Sequence, residues 1–148
     1  MPRINISEAL IKMDATEGGS VTDYSNEIMR ATLDVTRTNS RHYTFGLVSG
    51  LVTVGKLGGT LTLTVEGNTG ATSLLGVLNT MMTDTSPTTR SFEVYLPNAT
   101  ASSGSQKYTF EAHIVNLQMA NADAGGNGVS MHEATFEVDG AITFTNVT

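Results

Sequence analysis

Cysteine is absent from the 148-residue chain. No disulfide can staple it, and thiolate chemistry and thiolate metal sites are excluded. Folding inside a cell fits that absence. Tryptophan is also absent, and four Tyr and five Phe leave few rings to stack on a sugar. Lys and Arg number only eight against fourteen acids, for a formal net charge of -6. They are scattered, so the basic patch of a nucleic-acid binder is missing. Charged residues make up 15% of the chain, against a typical ~25%. No run approaches the ~20 apolar residues of a membrane-spanning helix, so no membrane insertion is expected. The opening Met1-Pro2-Arg3-Ile4-Asn5, followed by Ser7-Glu8, has neither the apolar run nor the small-residue cleavage site of a secretory leader.

What is abundant is threonine, at 23 residues, and glycine, at 15. Threonine is β-branched and suits the half-exposed face of a pleated sheet. Low charge combined with much Thr, Ser, Gly and Asn indicates an outer surface that largely meets other protein. The length suits one domain spanning 1–148, and a chain of this size buries close to ~70% of its unfolded surface without staples.

Period-two alternation marks the strands. Met29, Ala31, Leu33 and Val35 alternate with Arg30, Thr32, Asp34 and Thr36. Leu61, Leu63 and Val65 alternate with Thr60, Thr62, Thr64 and Glu66. Between them, His42–Gly59 reads as a strand running into a long glycine-rich hairpin arm. Phe92, Val94 and Leu96 form a short strand. Tyr108, Phe110, Ala112 and Ile114 form another, whose phase then slips to Val115, Leu117 and Met119 and predicts a bulge. A strand over Met131–Val138 turns at Asp139-Gly140, a two-residue hairpin signal, into a last strand with Ile142 and Phe144. One helix is predicted over about 72–83, capped by Thr69 or Thr72 and stopped before Pro87. Its stripe Leu74, Leu78, Met81 and Met82 reads as core packing, with a subunit contact as the alternative. The fold class expected is mainly β: two packed antiparallel sheets, as a sandwich or partly open barrel, of about seven strands with one flanking helix.

Catalytic chemistry finds no support. His42, His113 and His132 read as ordinary polar-face residues. His132 and Glu133 are neighbours on a strand and point to opposite faces, and no His-x-x-x-His spacing exists. No metal and no cofactor is expected, and no enzyme. Gly55-Lys56-Leu57-Gly58-Gly59 and Gly125-Gly126-Asn127-Gly128 lack a phosphate-loop context and read as hairpin tips.

The strand Leu61–Glu66, the helix, the strand Ser91–Leu96, the long strand Tyr108–Met119 and the closing Ser130–Gly140 together resemble the tail tube proteins (major tail proteins) of tailed bacteriophages. Type VI secretion tube subunits share that fold. The resemblance covers roughly residues 25–148 and rests on element order, size and texture. It implies hexameric rings that stack into a hollow tube conducting DNA during ejection, in a virion tail assembled in the host cytoplasm. The implied partners are further copies of the chain, the tape measure, the tail terminator, baseplate or tip proteins, and DNA in passage.

The resemblance further implies that a hairpin arm and the N-terminal segment contact the adjacent ring. The arm would be 37–59, with Tyr43, Phe45, Leu47, Val48, Leu51, Val52 and Val54 as its contact residues. The N-terminal arm would be 1–26. Asp34, Glu66, Glu111 and Glu137 are the candidate channel-lining acids, which would repel phosphate. Two readings stand beside this one: a carbohydrate-binding or adhesin-type β-sandwich module, and another virion component such as a tail terminator or decoration protein.

Overall fold

A computed structural model describes residues 9–46, 50–68, 70, 72–96, 106–122 and 128–146. Among them are seven strands: β1 (Leu10–Asp14), β2 (Val21–Asp23), β3 (Ile28–His42), β4 (Leu51–Glu66), β5 (Arg90–Leu96), β6 (Gln106–Leu117) and β7 (Met131–Asn146). One helix, α1 (Leu74–Thr83), follows β4, and a 3-10 turn at Ser25–Glu27 precedes β3. The fold is therefore mainly β with one helix, as expected. Hydrogen bonding joins the described strands into one antiparallel sheet, ordered β2-β1-β5-β6-β7-β4-β3. The second sheet is thus the far part of the first. The sheet curls until β1 and β3, near its opposite edges, line one cavity, which is the partly open form of the expected architecture.

Register makes one face continuously apolar. Leu33, Leu61, Phe136 and Ile114 form one row across β3, β4, β7 and β6, and Ala31, Leu63, Ala134 and Leu117 form the next. Met13, Phe92 and Phe110 extend the face through β1, β5 and β6. Phe92 stacks on Phe110 at 5.4 Å between centroids and meets Phe136 edge-on at 4.9 Å, both favoured aromatic geometries. Helix α1 closes this face with Leu74, Val77, Leu78 and Met81, all buried. Met82 is 39% exposed. Val77 takes the core position, because one more residue rotates Met82 about 100° past the buried stripe.

The helix cap lies one residue after Thr72 and four after Thr69, the two expected caps. Ser73 is the N-cap: its hydroxyl accepts from the Gly76 N–H at 3.2 Å and donates to the Gly70 carbonyl at 2.6 Å. A carboxylate oxygen of Glu27 accepts from the Leu74 N–H at 3.1 Å. An orphan donor is thereby satisfied, and negative charge sits at the positive end of the helix dipole.

Two turn signals resolve differently from the sequence reading. Asp139-Gly140 is not a hairpin. Thr109 pairs with Thr143 and Glu111 with Asp139, so β7 loops out extra residues opposite Phe110 and then continues. Gly140 sits there at φ +85°, a conformation cheap only for glycine, so hairpin and bulge share one signature. Gly55–Gly59 is not a hairpin tip either, but lies within β4. Gly55 faces a β3 bulge, where an added side chain would collide with the Thr38 carbonyl. The slip in β6 falls where expected, between Ile114 and Asn116. Leu117 is buried beyond it, whereas Val115 and Met119 are exposed.

Two stretches of the expected N-terminal arm 1–26, Leu10–Asp14 and Val21–Asp23, belong to the sheet. β1 pairs with β5 and buries Ile11 and Met13 in the core. Its alternation is masked because Leu10 and Asp14, on the other face, are buried too. Residues 1–8 lie outside the described residues.

Candidate assembly surfaces

The β3–β4 hairpin runs out of the sheet. β7 covers β4 only over Thr60–Glu66, yet β3 and β4 stay paired from Val35–Gly59 out to His42–Leu51. Residues 35–42 and 51–59 therefore form a two-stranded arm with no third strand beside it among the described residues. Tyr43, Phe45, Val52 and Val54 are exposed large hydrophobics on this arm. Leu51 lies in β4 at the arm's end, while Leu47 and Val48 lie outside the described residues. A run of exposed apolar side chains on a two-stranded ribbon is the kind of surface that marks an interaction site.

The four candidate acids share the face opposite the core. Asp34 pairs with Thr60, Thr60 with Glu137, and Glu137 with His113, so one row crosses β3, β4, β7 and β6. Asp34 and Glu137 stand two strand spacings apart, roughly 10 Å. Glu66 pairs with Met131 at the other end of β4, and Glu111 with Asp139. This spacing makes a spread field of charge rather than a binding cluster, with separations near the ~8 Å screening length of physiological salt. Glu93 and Glu133 lie on the same face. Cations there are few. Lys107 pairs with Glu93 at 3.2 Å, and His113 lies 3.4 Å from Asp139. The Lys107 ammonium is held above the ordinary lysine value, first by Tyr95 and then by Glu93. The Ser91 hydroxyl donates to Glu111.

The buried polar groups His132, Asp14 and Arg90 have partners within the chain. His132 is buried; its Nδ1 lies 2.7 Å from the Gln118 carbonyl and its Nε2 lies 3.0 Å from the Ser130 hydroxyl. A carbonyl only accepts, so Nδ1 carries the proton and Nε2 accepts. The ring is a satisfied core histidine, although the sequence reading placed it on a polar face. Asp14 is buried and accepts from the Ser91 N–H at 2.7 Å. Burial pushes its carboxyl above the ordinary aspartate value, with the Ser91 N–H and Arg90 opposing. Arg90, also buried, donates to Thr88 at 2.6 Å. Among the described residues no group of three or more metal-ligating side chains converges, and no helix is long and apolar enough to cross a membrane.

The feature that sequence reasoning missed is a cavity of about 730 Å³ between β3 and the β1–β5–β6 side of the curled sheet. Ile11, Leu33, Leu61, Val94, Leu96 and Tyr108 line it, with Met29, Ala31 and Val35 at the β3 edge. The walls come from segments up to about a hundred residues apart, so no local pattern announces it.

No family model matches the chain, and no curated protein matches it. Solved structures do, over nearly its whole length. A chain of the anti-feeding prophage baseplate, 6-fold symmetrised, is 19% identical with a TM-score of 0.75, covering 99% of this chain and 97% of that one. A chain of the sheath/tube terminator of an extracellular contractile injection system is 16% identical with a TM-score of 0.72, covering 98% of each. A chain from the tail of an empty GTA particle, in C6 symmetry, is 15% identical with a TM-score of 0.67, covering 95% and 98%. The likeness is one of fold, and it gives this chain the tail-tube-type fold found in phage-tail-like particles.

Proposed function

We propose that the chain is a structural subunit of a phage tail tube: six copies form a ring, and rings stack into a channel that conducts DNA. The observation that carries this reading is the β3–β4 arm, which leaves the sheet with its apolar side chains uncovered. An unsatisfied ribbon is a template for another protein. Fold neighbours drawn from six-fold assemblies support a further copy of the chain as that protein.

The acidic face supplies the channel. With Asp34, Glu66, Glu111 and Glu137 turned to the lumen, the wall repels phosphate and a passing duplex does not stick. The tape measure, terminator and baseplate or tip proteins are the remaining partners in this reading, and a virion tail is its location.

A second reading, a tail terminator, is favoured by the match to a sheath/tube terminator. Negative-stain microscopy of the concentrated protein separates the two. Long tubes of uniform width are expected for a tube subunit, single rings for a terminator, and a monomer under every condition overturns both.

A further inference from the structure

The groove between β3 and the β1–β5–β6 wall is larger than close packing leaves by accident. Protein interiors keep few voids bigger than a water molecule. A volume of about 730 Å³ falls within the ~300–1,000 Å³ of sites that take small ligands. The groove is long rather than round. β3 lines it from Ile28 to Val35, a stretch of roughly 23 Å at ~3.3 Å per residue. Met29 is 61% exposed and Val35 45% exposed along that strand, so the groove opens to solvent there.

The lining selects the chemistry of an occupant. Aliphatic side chains make up most of the wall, and only Ser25, Arg30 and Tyr108 bring polar ones. The Ser25 hydroxyl is already committed, accepting from the Ile11 N–H at 2.8 Å and donating to Asp23 at 2.6 Å. A sugar or a nucleotide would leave most of its polar groups unpaired against such a wall. Arg30 is the one charged residue of the lining. β3 shifts register between Ile28 and Arg30, and a bulge re-aims the side chains beside it. The acids of the neighbouring turn are engaged elsewhere: Asp23 holds Ser25, and Glu27 accepts from the Leu74 N–H. Among the described residues Arg30 has no ion pair, the two present being Lys107 with Glu93 and His113 with Asp139. A guanidinium beside a hydrocarbon wall suits an anion carried on an apolar body.

We infer that the groove is a binding site for a single-chain alkyl carboxylate, a fatty-acid monomer taken from solution, with its head on Arg30 and its chain along Leu33, Leu61 and Val94. A guanidinium and a carboxylate form a charge-assisted pair, often bidentate. Each methylene that leaves water for those walls adds to the affinity. Net charge makes such a site easy to recognise. The chain is -6 overall, so non-specific attraction favours a cationic amphiphile over an anionic one. A preference for the anion therefore reports a local cation. The site needs no second copy of the chain, so dilute, unassembled protein suffices to test it.

Laurate and dodecyltrimethylammonium carry alkyl chains of the same length on heads of opposite charge. Each is titrated into the protein below its micelle concentration, followed by calorimetry and by amide chemical shifts. The expected result is saturable laurate binding, one per chain, with shifts gathered at Ile11, Leu33 and Val94. The cation should bind about tenfold more weakly, and Arg30→Gln should weaken laurate by about tenfold with the melting temperature unchanged, as for the loss of a hydrogen bond to a charged group. Ala31→Trp puts an indole into the groove from an exposed position and should abolish binding in a protein that still gives a folded amide spectrum. Laurate that does not saturate, that binds no better than the cation, or that ignores Arg30→Gln overturns the site. Shifts gathered on the arm or along α1 overturn it as well. The self-assembly reading is untouched by these results, since rings and tubes in negative stain decide it.

Discussion

In the sheet body Phe92, Phe110 and Phe136 fill one another's space and are almost wholly buried, whereas in the arm Tyr43 and Phe45 stand in solvent. The body's acids are spread over its outer face, while the arm carries only cations. Five of the described strands, β1, β5, β6, β7 and β4, have partners on both sides in the body, while the arm is two strands alone among the described residues. The difference teaches that the residues which hold the core together and those left uncovered are separate sets. On the proposed reading the body keeps its fold without the arm, while the arm alone would not hold, since an isolated hairpin is marginal in water.

The sharpest way to break this comparison is to delete Arg41–Leu57. Thr36 and Gly58 stay paired, and residues 37–40 become a four-residue hairpin loop, a common length. The expected outcome is a cooperative thermal transition close to the wild type and a complete loss of rings and tubes in negative stain. Tubes formed by the deletion would erase the distinction.

Next in size is the aromatic swap. Phe136→Ala should cost about 3–5 kcal/mol in urea unfolding, while Phe45→Ala should change monomer stability by less than about 0.5 kcal/mol. Equal losses would mean that the arm is part of the core. Smaller again, Ser73→Ala should cost about 1 kcal/mol by removing the cap of α1, with no change in assembly once the protein is folded.

The smallest effect concerns Asp14. Its native carboxyl titrates above the ordinary 3.8 because burial disfavours the charge. As pH rises from that value through the raised native one, the unfolded chain gives up its proton first. Asp14 thus costs stability that is fully lost above the window and recovered on acidification. Asp14→Asn, which keeps a carbonyl for the Ser91 N–H, should match or slightly exceed wild-type stability at neutral pH and flatten the acid side of the profile, read by melting temperature against pH.

Much of this architecture was legible because the alternation was local. Ala31, Leu33 and Val35 on β3 and Leu61, Leu63 and Val65 on β4 announce both strands and their inward face, and register then aligns them. The length of the β3–β4 pairing beyond β7 is a separate matter, set by register and not by alternation. What stayed hidden depends on three dimensions. β1 conceals its period because both of its faces are covered. Gly140 offers the same chemistry to a turn and to a bulge, and only the Thr109–Thr143 pairing decides between them. Ser73 outranks Thr69 and Thr72 as the cap because Gly76 and Gly70 lie within its reach. Strand parity puts the four acids on one face, yet parity says nothing of how far apart they stand. The groove joins Ile11, Leu33, Val94 and Tyr108, residues that no window of sequence brings together.

The two free borders of the described sheet are grossly unequal: β3 offers fifteen residues and β2 only three. Two subunits joined long border to long border would each use up the better half of what they have and leave only a stub, so growth would end at a pair. Joined long to short, every subunit keeps one of each, and the string acquires a front and a back. Such a string can be extended from a template in one sense only, and a copy presented backwards finds no matching border.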